Sequence, residues 1–245
     1  MNLFLILAFL FFIGSVTGWV LELFFRRFIS TSNPNRKWIN PGFCVGPYVP
    51  LYGFGLCLMY IIASFENVDF IQNMYLNRLV LFIVMAICMT VIEYIAGILI
   101  LKMTNVRLWD YSGQWGNING IICPLFSAIW AFLGAVYYFF IHPYILNALN
   151  WLSENLAFSF VIGVFFGVFA IDVAYSVKLL SRLRAFAEEN EVVVRYENLK
   201  AHIRSIHDEN MTKTHFFFPF KSDKSVDAYL KDIRFRLEKK YRKRR

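Results

Sequence analysis

The chain has 245 residues, 58% of them hydrophobic and only 17% charged, with a formal net charge of +8. A composition this apolar excludes an ordinary soluble domain and a disordered segment. The positive charge lies between the apolar stretches and in the tail, where membrane topology and anionic lipid account for it, so no nucleic-acid partner is inferred.

Five apolar stretches follow one another, at about residues 3–25, 43–65, 79–101, 118–141 and 156–177. Each is near the roughly 20 residues a helix needs to cross a bilayer, and too long and too continuously apolar for a barrel strand. The expected fold is all-α: a polytopic helical bundle over residues 1–178, in contact with the lipid bilayer, and a helical, basic cytoplasmic tail over 179–245.

The first stretch has no basic leader and no small-residue cleavage pattern, so it reads as a span and not as a signal peptide. Gly14, Gly18 and Glu22 recur at one-turn intervals, a small-xxx-small face that admits a neighbouring helix and turns Glu22 into the bundle. Arg26, one turn on, offers a plainer alternative: a carboxylate snorkelling outward to an ion pair.

Asn40–Gly55 reads NPGFCVGPYVPLYGFG, three prolines and four glycines where the second span should already be helical. Such backbone is tolerated at membrane depth only when buried in protein or lining a polar cavity. A broken or re-entrant helix entry is expected, with Asn40, Gly42, Gly46, Pro47, Tyr52 and Gly53 as candidate site residues whose amides could hold an anion. A purely architectural bend is the competing reading.

In the third span Glu93 shares a face with Thr90 and Gly97 and has no base within a turn, which marks it for a site or an inter-helix contact. The segment WDYSGQWGNINGIICP, Trp109–Pro124, supplies Trp109, Asp110, Tyr111, Ser112, Asn119 and Gly120 as further candidates. Trp109 and Tyr111 read first as interfacial anchors, and Asp110 as a cap with Ser112. Glu22 precedes Asn40, Gly42 and Pro47 as Glu93 precedes Asn119, Gly120 and Pro124, a weak parallel repeat of two spans each. In the last span Asp172 is followed by Tyr175 and Ser176 at helical spacing. Beyond it, Leu179–Asn210 reads as an amphipathic helix, followed by an apolar Phe216–Phe220 patch and the polybasic end EKKYRKRR.

Arg26, Arg27, Arg36 and Lys37 follow the first span with no acid among them, and the tail after Lys178 carries 17 Lys/Arg against 10 Asp/Glu. The positive-inside rule therefore places the N-terminus outside and the C-terminus in the cytoplasm. Counted from the flanking bases, Glu22, Asp172 and Glu93 lie roughly 6, 9 and 13 Å from the cytoplasmic end of their spans. A charged side chain near a bilayer centre costs about 2.5–3.5 kcal/mol on insertion scales, so the three are the leading site candidates. Cys44, Cys57, Cys88 and Cys123 show no ligand spacing, and neither a metal site nor a cofactor is expected.

Gly18-Trp19-Val20-Leu21-Glu22, the Asn40–Gly55 stretch, Trp109-Asp110-Tyr111-Ser112 and Asn117–Gly120 together resemble the ABC-transporter type IV, or CmpB-type, family of membrane proteins. Ser127, Trp130, Gly134 and His142-Pro143 also fit, and the similarity covers about residues 10–180. Pro41 and Cys44 depart from the pattern, standing where a basic residue and a leucine are more usual. The resemblance implies a permease-like component of a transport system. No G-x-x-x-x-G-K-[ST] occurs, so any ATP use requires a separate nucleotide-binding ATPase subunit. A homo-oligomer would enlarge any pathway through so small a bundle. Two other classes compete. One is a membrane enzyme or head-group-binding protein at the cytoplasmic face, which lacks a nucleophile–base motif. The other is a non-transporting assembly or sensing protein working through its tail.

Overall fold

The computed structural model describes residues 2–30, 33, 36–67, 73–190, 192–196, 198–199, 226 and 229–235. The chain is built of helices: α1 (Leu3–Phe28), α2 (Pro50–Ala63), α3 (Met74–Thr104), α4 (Pro124–Val136), α5 (His142–Glu154) and α6 (Ser159–Glu189). Four apolar helical units are long enough to cross a membrane: Leu3–Phe28, Met74–Thr104, Pro124–Glu154 and Leu156–Glu189. A shorter apolar helix, Pro50–Glu66, lies beside them.

The small face of α1 works as its spacing predicts. A Cβ on Gly14 would stand 2.9 Å from Leu56 and from the Tyr52 carbonyl, and one on Gly53 would stand 2.3 Å from Ser15 Oγ. These three positions let α1 and α2 approach backbone to backbone, which maximises dispersion contact where no hydrophobic effect drives association. The core of the bundle runs along them through Leu10, Met59, Met85, Met89, Trp130 and Leu152.

The helix expected from residue 43 begins later. Residues 40–49 are non-helical and α2 starts only at Pro50. Proline at the first turn explains the place, since its missing N–H needs no partner there. The irregular segment runs deep, with Val49 N–H bonding to the Ser15 carbonyl at 2.9 Å, half-way along α1. Ser15 is 11 residues before Arg26, about 16 Å along the helix axis. The expected break in the helix entry is therefore present, packed against α1 and bonded to α6.

The fourth span likewise starts at a proline, Pro124, and not at residue 118. Nor does it stop at Ile141. A π-turn over Tyr137–Ile141 carries it into α5, with His142 N–H bonding five residues back to Tyr137. Pro143 has no N–H to give the preceding turn, and the widened turn absorbs that loss.

α6 continues unbroken past the last span to Glu189, where Asn190 Nδ2 bonds back to Phe186 O at 2.9 Å. The amphipathic helix expected to reach Asn210 ends here. Three consecutive valines, Val192–Val194, favour extended chain, and Val194–Arg195 forms β2 in parallel with β1, Val106–Arg107. A second apolar cluster of Val106, Leu179, Leu183, Val194, Tyr196 and Leu199 seals this contact. The Phe216–Phe220 patch and the polybasic end lie outside the described residues.

Candidate functional site

Two of the three intramembrane carboxylates share one cluster. Glu22, on α1, pairs with Arg26 at 3.0 Å and accepts from the Tyr52 hydroxyl at 3.0 Å. Gly18 makes the second contact possible, because a Cβ there would sit 2.2 Å from the Tyr52 ring. Glu93, on α3, lies within electrostatic range of Glu22, Tyr52 and Tyr111. It accepts from the Tyr111 hydroxyl at 3.2 Å, and the Trp130 indole borders the same carboxyl. Trp130 in turn packs on Tyr52 with ring centroids 5.0 Å apart. Glu93 is only 2% exposed, and its Oε2 has no hydrogen-bond partner. A buried acid with an unbonded oxygen carries a desolvation cost of roughly 1–3 kcal/mol.

Asp172 belongs elsewhere. From α6 it accepts the backbone N–H groups of Val45 at 3.0 Å and Gly46 at 2.8 Å, the Tyr48 hydroxyl, and Ser176 Oγ at 3.3 Å. The amides expected to hold an anion thus hold one supplied by the chain itself. Within the same segment Pro47 sits at the centre of a tight turn, Tyr48 N–H to Gly46 O at 2.9 Å. A Cβ on Gly46 would strike the Tyr48 ring at 2.4 Å, and one on Gly42 would reach Tyr48 O at 3.0 Å. Asn40 is buried and binds the segment from within. Its amide donates to Val45 O at 2.8 Å and its oxygen accepts from Trp19 Nε1 at 2.8 Å. Asn40, Gly42, Gly46 and Pro47 therefore shape the re-entrant turn, while Tyr52 and Gly53 belong to the carboxylate cluster and the α1–α2 crossing.

The loop between α3 and α4 is the second wall. Trp109 and Tyr111, expected first as interfacial anchors, both make contacts within the protein. The Trp109 indole donates to Ile121 O at 2.9 Å and its ring covers Gly97, while Tyr111 stacks on Phe126 at 4.2 Å. The exposed ring of the loop is Trp115. Asp110 accepts from Arg107 at 2.8 Å and from Ser112 N–H at 3.1 Å, as its capping role predicts, and also pairs with Arg195 at 3.1 Å. Burial works against its charge, but the bonds from Ser112 and Arg107 and the charge of Arg195 outweigh it and hold the carboxyl below its ordinary value. Asn119 (φ 54°) and Gly120 (φ +66°) occupy left-handed backbone at the turn that returns Gly120 O to Tyr111 N–H at 2.8 Å. Asn119 Nδ2 donates to the Tyr94 hydroxyl at 2.9 Å.

The two helix entries resemble each other through residues other than those the sequence order suggests. Pro50-Leu51-Tyr52 opens α2 as Pro124-Leu125-Phe126 opens α4, so Pro50, not Pro47, is the counterpart of Pro124. Asn117 copies Asn40: its oxygen accepts from Gly120 N–H at 3.0 Å and its amide donates to Gln114 O at 2.8 Å. Tyr52 reaches Glu22 directly, whereas Phe126 supports Tyr111, which reaches Glu93. Tyr48, Arg195 and Tyr196 carry contacts that sequence reasoning missed. Among the described residues, no group of three His, Cys, Asp or Glu side chains could hold a metal ion.

Apolar helices of membrane-crossing length around a buried Glu93 and a partly buried Glu22 define a multi-pass membrane protein with a polar centre in its bundle. Residues 9–177 match the model of the family described as "Putative ABC-transporter type IV", and the chain belongs to that family. No curated protein and no solved structure matches the chain significantly.

Proposed function

We propose that this chain is the permease-like component of a transport system and that the Glu22–Tyr52–Glu93–Tyr111 cluster is its working site. It crosses the membrane five times, α2 making the short crossing that starts from the re-entrant segment. The N-terminus lies outside. The membrane domain runs to residue 178, and the tail, 179–245, is cytoplasmic. The observation that carries the reading is Glu93: an acid enclosed by the bundle, with one oxygen unbonded and no basic partner among the described residues. Acids so placed in membrane bundles mark substrate and ion paths. A separate ATPase subunit would supply the energy, and the family supports that partner.

The test is affinity purification of the full chain from its native membranes, with co-purifying proteins and lipids identified by mass spectrometry. A stoichiometric ATP-binding subunit supports the permease. Its absence, together with a bound head group that Glu93→Gln releases, overturns the permease in favour of a lipid-binding protein or membrane enzyme.

A further inference from the structure

The stretch Val194–Tyr196 touches both irregular segments of the bundle. Val194 N–H bonds to Asn105 O at 3.0 Å and β2 runs parallel to β1, so the tail is stitched to the loop after α3. Arg195 then pairs with Asp110 at 3.1 Å, one residue before the tyrosine that donates to Glu93. Tyr196, fully buried, donates to Phe43 O at 3.3 Å and packs its ring on Phe43 at 6.0 Å, at the mouth of the re-entrant segment. Two residues along that segment, Val45 N–H is held by Asp172. Three consecutive tail residues are thereby fastened to the backbone of both segments that frame the polar cluster. The apolar cluster on α6 explains the burial of Val194 and Tyr196, but not the pairing of Arg195 with Asp110.

We infer that residues 194–196 are a latch through which the cytoplasmic tail sets the Tyr111–Glu93 contact, with Arg195 as the positioning residue. Asp110 is the lever. It is fixed to Arg107 and Ser112 within its own loop and to Arg195 from the tail, and Tyr111 follows it directly in the chain. Withdrawing the tail removes Arg195 from Asp110 and leaves Tyr111 positioned by contacts within the α3–α4 segment, among them Phe126, the Gly120 carbonyl and Gln114 N–H. A partner that pulls on or covers the tail would in this way act on the buried acid without touching the bundle. This rests on the reading of the Glu22–Glu93 cluster as the working site.

The test uses the purified full chain in lipid nanodiscs, with a fluorotyrosine label replacing Tyr111 and fluorine NMR reporting its hydroxyl contact. Arg195→Ala is expected to move the resonance in the direction that Glu93→Gln moves it, while Arg195→Lys leaves it near its original place. Arg184→Ala, which breaks only the α6 pair with Glu188 at 2.7 Å, leaves it unmoved. Hydrogen exchange over residues 108–123 should quicken roughly two- to fivefold in Arg195→Ala, the factor that one partly exposed ion pair supports. A resonance unmoved in Arg195→Ala, or moved equally by Arg184→Ala, overturns the latch. No partner protein is present in this measurement, so the latch fails here and the permease reading fails in the co-purification.

Discussion

Tyr52 crosses the face of Gly18 to donate its hydroxyl to Glu22, and no side chain at position 18 leaves room for it. The glycine therefore serves helix approach and site geometry at once. Gly18→Ala should force the Tyr52 ring aside and cost about 1–3 kcal/mol, as overpacking of a filled core does. Gly163→Ala and Gly167→Ala are the controls. Nothing lies within 4 Å of a Cβ built at either position, so these variants should be neutral or gain up to about 1 kcal/mol of helix propensity. Thermal unfolding of the three variants in one detergent decides it, and equal destabilisation at all three positions would contradict the close approach.

Asp172 serves the re-entrant segment and not the Glu22–Glu93 cluster. Asp172→Ala leaves the Val45 and Gly46 amides and the Tyr48 hydroxyl without an acceptor, at about 1–3 kcal/mol for each buried group. The expected outcome is faster hydrogen exchange confined to residues 42–49 and the facing turn of α6. Tyr48→Phe, which removes one bond of the set, should show a smaller change in the same peptides. Exchange that quickens instead around Glu22 and Glu93 would join the two networks.

Asp110 gives the loop after α3 a pH dependence whose sign follows from its depressed carboxyl. A group that is more acidic folded than unfolded stabilises the fold above its unfolded value, about 3.9, and that contribution disappears as pH falls through the lower folded value. Acidification from pH 5 to below pH 4 should therefore loosen residues 105–123, observed as faster proteolysis by an acid-active protease. Asp110→Asn removes the titrating group, so its loop should be looser at pH 5 and change little on further acidification.

These relationships differ in how far the sequence exposes them. Gly14, Gly18 and Glu22 lie one turn apart on one helix, so their shared face can be read from spacing alone, as can the broken entry at Asn40–Gly55. The partners of Asp172 lie more than 120 residues away, and no periodicity links an acid on the last helix to two amides before the second. Trp109 and Tyr111 look like membrane anchors because aromatic residues at a span end usually are. Their inward turn depends on Gly97 leaving space for the Trp109 ring and on Phe126 stacking beneath Tyr111, contacts between segments. The valine run at 192–194 favours extended chain, but a two-residue strand at Val194 and Arg195 has meaning only beside its partner, which lies about 90 residues earlier.

Glu93 and Tyr111 provide the sharpest separation of site from scaffold. Glu93→Gln keeps the size of the side chain and can still accept from Tyr111, so folding and expression should stay near wild type. What changes is the ionisable group, replaced by an amide that cannot gain or lose a proton, at a position bordered by Tyr111 and Trp130. Glu22→Gln differs, because Glu22 is paired with Arg26, and the variant replaces that ion pair with at most a neutral hydrogen bond. It should lose stability by a kcal/mol or two, about the value of a charge-assisted hydrogen bond. The pair of variants thus predicts opposite profiles: function lost with stability kept at Glu93, and stability reduced at Glu22. Thermal unfolding together with growth complementation in the native host measures both, and a Glu93→Gln protein that complements fully would remove Glu93 from the working site.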